Sequence, residues 1–105
     1  MSHYKANLRD IEFNLFEVFG AADRLGSGPY AELDAGTVKE VLREVRTLCE
    51  GPLAESFVDA DRNPPKYDPT TMSVEMPESF KKSYAAPMES GFWRLDLPEH
   101  MGGSG

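Results

Sequence analysis

The sequence predicts an all-α fold of small orthogonal or bundled helices, with one short extended segment, that amounts to an incomplete domain. Three observations carry that expectation. Apolar residues recur at three-and-four spacing through residues 34–62, and a second such stripe occupies residues 8–19. Pro77 opens a further helical pattern. A dense apolar run, Phe92, Trp93, Leu95 and Leu97, stands next to a glycine pair instead of beneath covering chain.

Each element has its own local reason. Residues 1–7 read as loose or extended chain. Asn7 can cap a helix over about 8–19, where Leu8, Ile11, Leu15, Val18 and Phe19 form one stripe that Phe13 and Phe16 widen. Phe13, Phe16 and Phe19 exceed what one packing contact hides, so they are candidate interface residues; the plainer reading packs them on the next helix. Residues 21–33 carry Gly26, Gly28 and Pro29 and read as a loop. The Gly26-Ser27-Gly28 fragment lacks the preceding strand and the third glycine of a phosphate loop, so it reads as a turn.

The long helix spans 34–62, with Val38, Val41, Leu42, Val45, Leu48, Cys49, Leu53, Phe57 and Val58 on its apolar face. Asp34 or Thr37 can cap it, Thr37 with Glu40 fitting the capping-box pattern. Gly51-Pro52 removes an intrahelical hydrogen bond, so a kink or break is expected near Pro52. Asn63-Pro64-Pro65 ends it. Between 66 and 76, Asp68-Pro69 starts a turn between two short extended flanks, a small ribbon or ordered loop. The third helix covers 77–90: Pro77 suits its first position, Glu78 suits the positive end of its dipole, and Phe80, Tyr84 and Met88 repeat every four residues. Gly91 is placed for a left-handed cap, and Pro87 predicts a stop or bend one turn early. Gly102 to Gly105 read either as native chain or as an added linker.

Composition narrows the function classes. A net charge of −7 disfavours nucleic-acid backbones and anionic membranes as partners, because both are held by basic surface. One cysteine, Cys49, permits no intrachain disulfide and reads as a small buried hydrophobe in a reducing compartment. The first residues lack the apolar core of a secretory signal, and no apolar run approaches the roughly 20 residues of a membrane span. A cytoplasmic location is the expectation. His3 and His100 have neither a second ligand nor a nucleophile at readable spacing, so no metal site and no catalytic set are expected.

Five stretches nevertheless resemble one family, in order. They are Tyr4-Lys5-Ala6-Asn7-Leu8-Arg9-Asp10 running on through Phe13-Asn14-Leu15-Phe16-Glu17-Val18; Leu48-Cys49-Glu50-Gly51-Pro52-Leu53-Ala54; Asp61-Arg62-Asn63-Pro64-Pro65; Pro77-Glu78-Ser79-Phe80-Lys81-Lys82-Ser83-Tyr84; and Gly91-Phe92-Trp93 leading to Leu97-Pro98-Glu99-His100-Met101-Gly102-Gly103. Together they are similar to the amino-terminal part of a bacterial branch of the flavin-dependent acyl-CoA dehydrogenases. Pro87 departs from the family pattern.

The resemblance implies an amino-terminal extension over 1–33 and the start of an amino-terminal helical domain over 34–105. In similar enzymes a β domain and a four-helix bundle follow. Such enzymes use FAD to dehydrogenate an acyl-CoA thioester between its α and β carbons, in fatty acid metabolism, and pass electrons to an acceptor such as electron-transfer flavoprotein. The catalytic base and most flavin contacts lie outside the matched region, so no catalytic residue carries over and no FAD is expected on this chain alone. Leu97, Glu99, Met101, Gly102 and Gly103 carry over as candidate walls of the acyl pocket, against the plainer reading of a tight turn. The expected role is that of an inert amino-terminal segment of such a dehydrogenase, self-associating into a homo-oligomer. The alternative is a free-standing helical interaction module that uses Phe13, Phe16 and Phe19.

Overall fold

The computed structural model describes residues 3–104. It is mostly helical, in the order α1 (Leu8–Glu12), α2 (Ala35–Leu48), α3 (Ala54–Arg62), β1 (Lys66–Asp68), β2 (Ser73–Glu75) and α4 (Glu78–Ser90). The described residues fall into two compact units. One holds residues 6–47 and 94–104, the other residues 3–5 and 48–93.

In the first unit, the Asn7 side chain accepts from the Asp10 amide at 3.2 Å and starts α1 as expected. The helix then widens into a π-helical turn over Phe13–Val18, closed by the Phe19 amide on the Asn14 carbonyl at 3.0 Å. A π turn leaves α-type carbonyls without their usual donors, and the Asn14 side-chain amide takes up the Asp10 carbonyl at 2.8 Å. Residues 21–33 form a loop with 3₁₀ turns at Ala21–Asp23 and Gly28–Tyr30. The cap of α2 is Asp34, whose Oδ1 accepts from the Thr37 amide at 2.7 Å. Thr37 therefore lies inside the helix, and Glu40 pairs with Arg43 instead of closing a capping box.

In the second unit, Pro52 is accommodated without breaking the chain's helical course. Cys49–Leu53 forms a π-helical segment in which the Ala54 amide reaches back five residues to the Cys49 carbonyl, stepping over the missing proline N–H. The expected kink near Pro52 is this change of helix type. Asn63 ends α3 through its amide on the Asp59 carbonyl at 2.8 Å and its side chain on Asp59 Oδ1 at 2.9 Å. The extended segment is an antiparallel hairpin in which Tyr67 faces Val74, its turn held by the Thr70 amide on Asp68 Oδ1 at 2.8 Å.

Pro87 does not stop α4. The helix continues to Ser90 and ends on Gly91 at φ 78°. Only three residues follow Pro87 before that cap, and the Ser90 hydroxyl takes the Pro87 carbonyl at 2.9 Å, so the last turn is held by other bonds.

No apolar side chain among the described residues is buried, and the two buried residues are Ser56 and Ser83. The α2 stripe expected to be a core face, Val38 to Leu48, is only half-buried, as is Cys49.

Candidate functional site

Residues 94–104 of the first unit fold into a closed loop. The Arg94 carbonyl accepts from the amides of Leu97 at 3.1 Å and Ser104 at 3.2 Å, so the ends of the loop are tied at one oxygen. The Pro98 carbonyl accepts from Met101 at 2.9 Å and Gly103 at 3.1 Å, and the Glu99 carbonyl from Gly102 at 2.9 Å. Gly102 adopts φ 84°, the left-handed region that favours glycine. Gly103 is constrained differently: a Cβ there would collide with the Leu97 carbonyl carbon and oxygen.

This loop contains all five residues expected to line an acyl pocket, but it does not turn them toward one cleft. Leu97 and Gly103 meet backbone to backbone, and Met101 is 64% exposed. Of the five, Glu99 alone lines the adjoining cleft of about 740 Å³, which residues 28–33 complete. That cleft carries three carboxylates, Glu32, Asp96 and Glu99, and no basic side chain. Three anions without a cation repel the phosphates of FAD or of coenzyme A. The residues here do not fit the flavin, and no chemical step is derived through it.

The three phenylalanines differ in exposure. Phe13 is 47% and Phe19 71% exposed, whereas Phe16 is half-buried with Lys39 Nζ 5.0 Å from its ring centroid. The wider winding of the π turn changes the angles between residues 13, 16 and 19 from those of a 3.6-residue period. Phe13 and Phe16 line a mixed-charge cleft of about 520 Å³ with Arg9, Asp10, Glu17 and Lys39.

The second unit is held by a polar seam that sequence reasoning missed. Ser79 of α4 donates to Asp59 Oδ2 of α3, while Ser56 and Ser83 both donate to the Leu53 carbonyl, at 3.2 and 3.4 Å. Two hydroxyls thus satisfy the carbonyl at the end of the π segment. The Ser79 hydroxyl, then the Asn63 side-chain amide, hold the Asp59 carboxyl below the usual carboxylate range. The available signal was Ser79 and Ser83 at four-residue spacing, small hydroxyls on one face of α4. Cys49 lies in a shallow apolar hollow of about 250 Å³ with Leu53, Ala54 and Phe57. His3, expected in a loose terminus, packs on Phe57 with ring centroids 4.4 Å apart.

Among the described residues, no cluster of His, Cys, Asp and Glu could hold a metal ion, and no helix is long and apolar enough to cross a membrane. No family model matches the chain. The chain is 52% identical over 103 residues to the broad-specificity linear acyl-CoA dehydrogenase FadE5 of Mycobacterium tuberculosis. The match takes in 98% of this chain and 17% of that relative. The match therefore runs along nearly the whole of this chain, which spans about a sixth of the length of that relative.

Proposed function

We propose that this chain is the amino-terminal helical segment of an FAD-dependent acyl-CoA dehydrogenase, inert by itself and serving the α,β-dehydrogenation of an acyl-CoA thioester by the whole enzyme. The observation that carries the reading is the coverage: 98% of the chain matches at 52% identity within 17% of the relative. In this reading residues 1–33 are an extension and 34–105 the start of the helical domain. Leu97, Glu99, Met101, Gly102 and Gly103, on the closed loop of residues 94–104, are the candidate wall residues of the acyl pocket once the rest of the enzyme is present. The flavin, the catalytic carboxylate and the docking site for an electron acceptor such as electron-transfer flavoprotein belong to the rest of the enzyme. The setting is cytoplasmic fatty acid metabolism.

The test replaces the matched 103 residues of the M. tuberculosis relative with this chain. The chimera should bind FAD and oxidise a linear acyl-CoA, while the chain alone mixed with FAD and acyl-CoA should reduce no acceptor dye. A chimera that folds but holds no flavin overturns the reading.

A second reading, a free-standing interaction module, draws on the exposure of Phe13 and Phe19. Replacing Phe13, Phe16 and Phe19 together by serine should then abolish partner capture while leaving the chimera's dehydrogenation intact. Loss of that dehydrogenation would place the three residues inside the enzyme instead.

A further inference from the structure

We propose that the outer edge of β1, Lys66-Tyr67-Asp68, pairs with the same edge of a second copy of this chain, so that two hairpins join about a twofold axis at Tyr67 into one four-stranded antiparallel sheet. The pairing is independent of the reading above. The hairpin is unfinished as a sheet. All six strand residues are exposed, Tyr67 at 61% and Val74 at 54%. Among the described residues, no backbone hydrogen bond joins either strand to anything outside the hairpin. Two strands alone are marginal in water, whereas three or more sharing an apolar face are stable. An open edge of unpaired amides and carbonyls is a template for a further strand.

The order of residues in β1 selects the strand and its occupant. Within the hairpin Lys66 faces Glu75, Tyr67 faces Val74 and Asp68 faces Ser73. Set antiparallel against its own copy and centred on Tyr67, β1 places Lys66 opposite the second copy's Asp68, and Asp68 opposite the second copy's Lys66. Side chains alternate across a strand, so each face of the four-stranded sheet is complementary in its own way. One face carries Val74, Tyr67, the second copy's Tyr67 and the second copy's Val74 in an unbroken row. The other carries Glu75, Lys66, the second copy's Asp68 and the second copy's Ser73, with charges alternating in sign. A slip of one residue would lose both rows. The edge of β2 offers less: centred on Val74, it sets Ser73 against Glu75 and pairs no charge. Placing β1 against a copy's β2 also brings Lys66 to Glu75, but that contact repeats head to tail, whereas the twofold pairing closes with two chains. The net charge of −7 on each copy opposes approach, so the exposed ion pairs set register more than they add affinity, and salt that screens the long-range repulsion favours the dimer.

Sedimentation and amide exchange on the chain, over a range of concentrations, test the proposal. A discrete dimer should form, and exchange in β1 should slow with concentration more than exchange in β2. A chain that stays monomeric to roughly 1 mM overturns the proposal, as does a dimer that protects only helical amides or an open-ended series of larger species.

Substitutions address the register. Lys66→Glu and Asp68→Lys should each weaken the dimer by about tenfold or more, because each turns both opposite-charge pairs into like-charge ones. Mixed in equal amounts, the two variants should associate with each other, since opposite signs are restored at both positions; a mixture no more associated than its parts overturns the proposal. Asp68→Lys also gives up the bond to the Thr70 amide, so amide exchange on the unsubstituted chain supplies the result that no folding failure can imitate. Met72→Asp, in the turn of the same hairpin where Met72 is 81% exposed, should change nothing. Dissociation by that variant would assign the association to exposed apolar surface at large and overturn the strand pairing.

Discussion

Gly103 is the residue whose identity the backbone dictates most sharply. A side chain there would fall on the Leu97 carbonyl, and neither atom set can move without opening the loop tied at Arg94 and Pro98. Gly103→Ala should speed amide exchange at Gly103 and Ser104 about tenfold or more, the mark of at least ~1.4 kcal/mol of lost local stability. Gly91→Ala is the comparison, because Gly91 sits at φ 78° with open space where a Cβ would go. Its cost should be conformational alone, about 1–2 kcal/mol, read as a lower melting temperature. Asp59 makes a prediction about acid. Its carboxyl titrates below the ordinary 3.8 because Ser79 and Asn63 bond its charged form. The unfolded chain therefore takes up the proton first as pH falls. The stability this bond contributes is complete above about pH 4 and disappears as pH drops through the folded-state value. Ser79→Ala should flatten that part of the acid-unfolding curve, and an unchanged curve would remove the bond from the account.

Among the elements, α2 and α4 were legible to different depths. Two capping residues were open for the long helix, and the structure selects Asp34 by its bond to the Thr37 amide. Asp34→Ala should fray the first turn of α2, seen as faster exchange at Thr37 and Val38, whereas Thr37→Val should preserve it. That choice depends on backbone angles a sequence pattern does not carry. For α4, Pro87 argued for an early end, yet the Gly91 cap and the Ser90 hydroxyl keep the last turn. The proline still withholds an N–H from the Ser83 carbonyl one turn back. Pro87→Ala should stabilise the chain by about 1–3 kcal/mol, and a lower melting temperature would show that Pro87 serves packing instead. The π-helical segments were not legible at all. Pro52 signalled a disturbance, but not its resolution into a five-residue reach from the Ala54 amide to the Cys49 carbonyl, with serine hydroxyls on the Leu53 carbonyl.

At the scale of the whole chain, exposed apolar surface dominates. Phe19, Phe57, Tyr67, Met72 and Tyr84 are each more than 60% exposed, and no apolar side chain among the described residues is buried. A dye that fluoresces on apolar surface should therefore bind the free chain strongly and the chimera weakly. Self-association should rise with ionic strength, because salt screens the mutual repulsion of chains carrying −7 while leaving apolar attraction in place. Association that instead dissolves in salt would point to ion pairs as its cause.

The sequence by itself determined the helices, the Asn7 cap, a short extended segment near 66–76, the disturbance at Pro52 and the resemblance to acyl-CoA dehydrogenases. All of these rest on local spacing, on backbone chemistry fixed by proline and glycine, or on residue order. Tertiary structure alone decided which residues share a surface. It set Phe13 and Phe16 on one cleft that Phe19 does not line, buried Ser56 and Ser83 among the described residues with both on the Leu53 carbonyl, and put Glu99 alone of the five candidate wall residues on a cleft. The physical reason is that facing depends on how far each turn is wound and on what stands opposite. A change of one residue in helical reach rotates every later side chain, and no periodicity in the sequence records it.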